Sequence, residues 1–177
     1  ISRVLWEHSL ATALGARLIA IKYGGADKEE AYLCGLLHDI GKLVLLQATP
    51  ETYERVIAEV RNSNSQFHEV ERKVLGYNHV QVGHALLTKW RFPTHLVSQI
   101  AGHHSTTLSA AESSVSLKRV TAIADSIAKY IGAGFFEAYM HEYESVCFIG
   151  DKLIEAEDII SLRMDTEYQF NLEMNSY

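Results

Sequence analysis

Apolar residues recur at steps of three and four along most of this chain, and that spacing restricts the fold more than any other feature. Val4, Leu5, His8, Ala11, Leu14, Leu18 and Ile21 trace one buried face of a helix over residues 3–23. The same rhythm predicts helices over 27–37, 50–61, 66–75, 79–90, 94–104, 117–131, 135–143 and 151–162. Leu43 to Leu46 resume a helix after a break. Asp27 with Glu30 reads as a capping box, and Asn78 and Thr94 as N-caps. Thr49-Pro50 is a cap followed by proline at the first helical position. Ser145 to Ile149 is a short strand or a turn, and the tail 164–177 carries no clear pattern. The expectation is an all-α protein.

The break in the rhythm falls at His38-Asp39-Ile40-Gly41-Lys42, directly after an apolar run. An imidazole offers one nitrogen ligand, and a carboxylate has two oxygens that can bridge two ions. Lys42 follows Asp39 by three residues, one helical turn on, where its cation can meet a phosphate. Taken alone, the dyad reads equally well as a capped helix end with a polar pair.

Other polar groups also fall at helix ends or on inward stripes. His8 lies on the first apolar stripe, where a single histidine is more often a hydrogen-bonded core residue than a ligand. His79 falls in the first turn after Asn78, and His103-His104 end a helix at Gly102. Asp125 sits among Val120, Ile123, Ala124 and Ile127, a costly place for a carboxylate unless it has a cation or metal; the bland reading puts it on the solvated side. Trp6 and Trp90 read as core residues, His68 and His95 as solvated, and His84 as a packing or supporting residue rather than a ligand. The Ser-, Thr- and Ala-rich segment 105–116 reads as a loop and a candidate pocket rim.

His8, His38, Asp39, His79, His103, His104 and Asp125 exceed the needs of one ion. Imidazole mixed with carboxylate favours two divalent transition metals drawn from iron, manganese, zinc, cobalt or nickel, with Asp39 as the natural bridge. Such a pair suits phosphoryl chemistry. The chain holds no Gly-rich loop ending in Lys-Ser/Thr, no Cys-x-x-Cys, no His-Glu-x-x-His and no Gly-x-Ser-x-Gly.

Composition narrows the partners. A net charge of −6 argues against the basic face that non-specific nucleic-acid binding needs. Cys34 and Cys147 sit in apolar surroundings, with no disulfide framework implied. No uninterrupted apolar run reaches the ~20 residues of a membrane span, and no leader pattern is seen, so a cytoplasmic protein with no membrane partner is expected. The chain begins in the middle of a helical pattern, as though cut from something longer.

The order His8, His38-Asp39, Asp125 resembles the HD superfamily of metal-dependent phosphohydrolases. His79 and His103-His104 resemble the subset with binuclear sites, which includes the HD-GYP proteins. Leu5-Trp6-Glu7-His8-Ser9, Gly35 to Lys42, Glu71 with Leu75 to Gly83, and Trp90 to Pro93 before His103-His104 are similar to the HDOD domain of bacterial signalling proteins. The resemblance covers residues 1–132, leaving 133–177 as a helical extension packed on the same domain. It implies an all-α bundle of about seven to nine helices around a metal site.

By the same resemblance one metal would take His8, His38, Asp39 and Asp125. A second would share Asp39 and take His79, His103 and His104, with Asp39 and Lys42 as the catalytic pair and Lys42 contacting a substrate phosphate. Ser105-Thr106-Thr107 stands where HD-GYP proteins carry Gly-Tyr-Pro, and Val4 where some carry a Glu, which argues against cyclic-di-GMP hydrolysis. The family also places a further helical half before the Trp6-Glu7-His8 motif. Two functions follow: hydrolysis of a phosphoester or nucleotide, or a catalytically silent regulatory module that contacts other signalling domains or proteins.

Overall fold

A computed structural model describes residues 1–63, 65–104, 115–134, 147–149 and 152–176. Among them are nine helices: α1 Ser2–Tyr23, α2 Lys28–Leu37, α3 Ile40–Ala48, α4 Pro50–Ser63, α5 Phe67–Leu75, α6 His79–Lys89, α7 Thr94–Ala101, α8 Leu117–Tyr130 and α9 Ala156–Met174. The fold is all-α, with one small antiparallel hairpin, β1 Cys147–Ile149 against β2 Lys152–Ile154, in the register Phe148 to Leu153. The expected helices at 135–143 and the loop at 105–114 lie outside the described residues.

α1 is the axis of the main core and packs against α2, α8 and α9. By length and mean hydropathy alone it would pass for a membrane span, but 67% of that window is buried in the bundle, as in a core helix. Its small residues let neighbours come close. Gly35 of α2 lies against the α1 backbone, where an added Cβ would stand 2.7 Å from Ala13 Cα. Ile19, Leu87, Val120, Ile123 and Leu162 complete this core. A second, smaller core joins α3, α4 and α5 through Leu45, Tyr53, Val56, Ile57, Val60 and Val70.

Several local expectations are corrected. Residues 152–154 form a strand rather than the start of a helix, because a three-residue strand carries too little alternation to stand out from its surroundings. α9 then runs through the tail that had no readable pattern. Trp6 and Trp90 are 40% and 58% exposed: Trp6 is two residues from His8, about 200° round the helix, and Trp90 is the C-cap of α6. Asp27 caps α2, but Glu30 makes no reciprocal bond and instead pairs with His95. Pro93, not Thr94, is the N-cap of α7.

Candidate metal centre

α2 ends at Leu37 and α3 begins at Ile40, so His38 and Asp39 are the only two residues between the helices, one the C-cap of α2 and the other the N-cap of α3. The Asp39 φ of −104° and ψ of 11° lie in the bridge region, where backbone turns sharply without a loop. Glycines hold both flanks. Gly35 seats α2 on α1, and Gly41 lets α3 press against the carbonyl of His79 and the amide of Gly83 in α6, where any Cβ would collide. His38 and Asp39 are thereby pinned between two helix crossings.

Each remaining residue comes from a separate element. His8 lies on the buried face of α1, and Asp125 on the buried face of α8. Asn78 caps α6 through a reciprocal bond pair with Gln81, which fixes His79 as the first helical residue. α7 ends at Ala101, and the chain opens through Gly102 so that His103 and His104 both reach inward, their ring centroids 4.0 Å apart.

The structure brings all seven expected groups together around Asp39. Oδ2 of Asp39 faces His8 Nε2 at 3.6 Å and His38 Nε2 at 3.3 Å, and Asp125 Oδ1 stands 3.0 Å from His8 Nε2 and 3.7 Å from His38 Nε2. Oδ1 of Asp39 faces His79 Nε2 at 3.3 Å and His103 Nε2 at 4.0 Å. His104 Nε2 is 3.1 Å from His79 Nε2. The atoms fall into two groups that share Asp39: His8 and His38 on one side, His79, His103 and His104 on the other.

The outer nitrogens are already engaged. His8 Nδ1 is 2.8 Å from the Ala133 carbonyl, His38 Nδ1 2.7 Å from the Gly35 carbonyl and His103 Nδ1 2.7 Å from the Ile100 carbonyl. A carbonyl only accepts, so each Nδ1 donates, and in the neutral ring each Nε2 turns a lone pair inward. Among the described residues, His8 Nε2, His38 Nε2, His103 Nε2, Asp39 Oδ1 and Asp125 Oδ1 are buried with no hydrogen-bond partner. Acceptors facing acceptors in a dry interior are costly, and a cation between them removes the cost. The donor set therefore fits a divalent transition ion.

The same groups also couple through their charges. Burial works against ionised Asp39, but His38 and Lys42 outweigh it and hold its carboxyl well below the usual range. Asp125 is likewise held low against burial, by Lys129 and then His38 and His8. Burial opposes protonated His38, yet Asp39 and Asp125 push it up to about 9. Burial and the nearby His38 push His103 down to about 3, and burial with His103 and His79 lowers His104. Lys42 Nζ is 2.6 Å from Asp39 Oδ2 and rests over the Phe67 ring, so it is part of the buried centre.

Two contributors were given no place in the site by the sequence, although Glu71 was noted as part of the HDOD-like motif. Glu71 of α5, fully buried, accepts from His79 Nδ1 at 2.6 Å, from the His79 backbone at 2.7 Å and from the Tyr53 hydroxyl at 2.7 Å. Its neighbours Val70 and Val74 mark the inward stripe of α5, and an acidic residue on that stripe was the available signal. His68, expected on the solvated side, instead stacks on His104 with centroids 4.5 Å apart. Asp125 faces the centre rather than solvent, while His84 is exposed and takes no part. Cys34 is buried, and burial with Glu30 pushes its thiol up to about 12, as suits a packing residue.

A helical bundle closing two groups of His and Asp ligands around one shared carboxylate defines an HD-type domain. The family model for the HDOD domain matches residues 2–106, and the chain belongs to that family. Among curated proteins, an uncharacterized protein of Treponema pallidum is 28% identical over 102 residues, which are 57% of this chain and 20% of that protein. The crystal structure of an HDOD domain protein of unknown function from Geobacter sulfurreducens matches with a TM-score of 0.67 and 24% identity, over 98% of this chain and 58% of that one. A Shewanella amazonensis protein provisionally named a phosphohydrolase matches with a TM-score of 0.61 and 24% identity, over 93% of this chain and 62% of that one. This chain thus spans a fifth of the curated relative and about three fifths of these two solved chains.

Proposed function

We propose that residues 1–132, with 133–177 packed on them, form a metal-dependent phosphohydrolase unit of a cytoplasmic bacterial signalling protein, acting on a phosphoester such as a nucleotide. The observation that carries this reading is the convergence of five buried, unpartnered nitrogen and oxygen atoms on the two sides of Asp39. His8, His38, Asp39 and Asp125 would hold one divalent ion, and Asp39, His79, His103 and His104 the other. When bound, such a pair supplies Lewis acidity at phosphoryl oxygens and a water acidic enough to lose a proton near neutrality. The residues do the rest. The backbone carbonyls of Ala133, Gly35 and Ile100 fix the imidazole tautomers. Lys42 balances the charge of Asp39, and its cation faces charge that builds on a phosphoryl oxygen. The buried surround excludes bulk water.

Asp39→Ala is the direct test. Elemental analysis should find two transition ions per wild-type chain and none in the variant, and hydrolysis of a phosphoester panel should vanish with them. A fully metal-loaded wild type that turns over nothing across a broad panel would overturn the enzymatic reading.

One observation favours a regulatory second reading. Of the seven proposed ligands only His104 is more than marginally exposed, and Lys42 is buried against Asp39. A centre closed to that degree suits a metal that holds the bundle together for contacts with other signalling domains. Full coordination by protein atoms, with no exchangeable water seen by relaxation of a bound paramagnetic ion, is its signature.

A further inference from the structure

The two sides of Asp39 differ in what stands behind their imidazoles. His8 and His38 on one side, and His103 on the other, lean on backbone carbonyls, which no side-chain substitution can remove. His79 leans on a side chain, and that side chain leans on another. Glu71 Oε2 receives both the ring Nδ1 and the backbone amide of His79, so one carboxylate oxygen fixes the ring and the first turn of α6 together. Glu71 Oε1 receives the Tyr53 hydroxyl. Tyr53 and Glu71 have no exposed surface, and Tyr53 belongs to the small core of α3, α4 and α5 rather than to the main core.

We infer that Tyr53 and Glu71 are positioning residues for the His79, His103 and His104 side of the centre alone, so that a single phenolic oxygen sets the affinity of one metal subsite and leaves the other untouched. An imidazole whose outer N–H is given to a carboxylate is held in one tautomer and is a stronger donor at its inner nitrogen. The carboxylate is oriented only if both its oxygens are occupied. With the hydroxyl gone, Oε1 loses its partner and Glu71 can rotate away from the His79 ring. Nothing in the chain Tyr53–Glu71–His79 touches His8, His38 or Asp125, whose supports come from Ala133, Gly35 and Lys129.

The inference rests on the two-ion reading above. Its test is Zn²⁺ titration of the whole chain against a chromophoric chelator, for wild type, Tyr53→Phe and Glu71→Gln. Tyr53→Phe keeps the ring and the packing, so the fold is retained; circular dichroism checks this. The expected result is two binding steps in the wild type. One step should be unchanged in both variants. The other should weaken about 10-fold in Tyr53→Phe and up to about 100-fold in Glu71→Gln, the range found when such supports are removed. A merely structural role would weaken both steps together, and that result overturns the inference, as does a pair of steps that both stay where they were. A wild type that binds no Zn²⁺ at all defeats the two-ion reading itself, which separates the two failures.

Discussion

On the His8 side of Asp39, His8 and Asp125 stand on α1 and α8, long helices of the main core, and His38 caps α2. On the His79 side the ligands stand on α6 and at the open end of α7, behind the shorter helix α5. The first side inherits its geometry from backbone packing: small residues in α1, the Gly35 contact and carbonyl acceptors. The second inherits it mostly from side chains, namely the Asn78–Gln81 cap, Glu71, Tyr53 and the stacked His68 and His104, with His103 alone resting on a backbone carbonyl, that of Ile100. Backbone-set ligands are hard to retune without disturbing the fold. Side-chain-set ligands can be retuned one residue at a time, and the second side also holds His104, the most accessible member of the set.

Substitutions can break this contrast, and the largest effect is expected where both sides meet. Asp39→Ala should empty both together. Next is Gly41→Ala, whose new methyl would run into the His79 carbonyl and force α3 from α6. Overpacking of this kind costs about 1–3 kcal/mol, readable as a lower denaturant midpoint. Zn²⁺ should be lost from the His79 side first; equal loss from both sides would mean that the contrast is drawn in the wrong place. Asp125→Asn is the converse. It removes a charge that pairs directly with His8, His38 and Lys129, so one equivalent of metal should go and the other stay.

The smallest effect lies outside the centre. Asp158 of α9 pairs with Lys22 at 2.7 Å and accepts from the Tyr23 hydroxyl at 2.9 Å, and these partners hold its carboxyl below the usual value. A depressed carboxyl contributes stability above its unfolded value of about 3.9 and loses it as pH falls through the lower folded value. Amide protection at the start of α9, taken relative to the intrinsic exchange rate at each pH, should therefore fall on acidification below about pH 4. Asp158→Asn should show low protection there at every pH, with the His79 side unmoved. A variant whose α9 protection still falls on acidification would assign the effect to another group.

Much of this was legible in sequence, for reasons that can be stated residue by residue. The ligands were readable because helix ends and inward stripes are written in the three-and-four spacing, and because a polar group on such a stripe needs a reason. Asp125 shows where one helix fails to decide: its burial comes from α1 and α2 packing on α8, which a single wheel does not contain. Glu71 was hidden by its surroundings, since Glu69, Arg72 and Lys73 make the segment look solvated. His68 was misread for the same cause, because its partner His104 is 36 residues away in sequence and meets it only after α6 and α7 have folded back. The hairpin was missed because pairing, not pattern, defines a three-residue strand.

The two-residue gap at His38-Asp39 has a mechanical meaning. α2 is fastened to the main core and α3 to the smaller one, and no slack chain lies between them. A link so short leaves no spare chain to absorb a shift of one core against the other. The shared carboxylate sits in that link. Any displacement between the two cores is thus felt at the one residue that both ligand groups have in common.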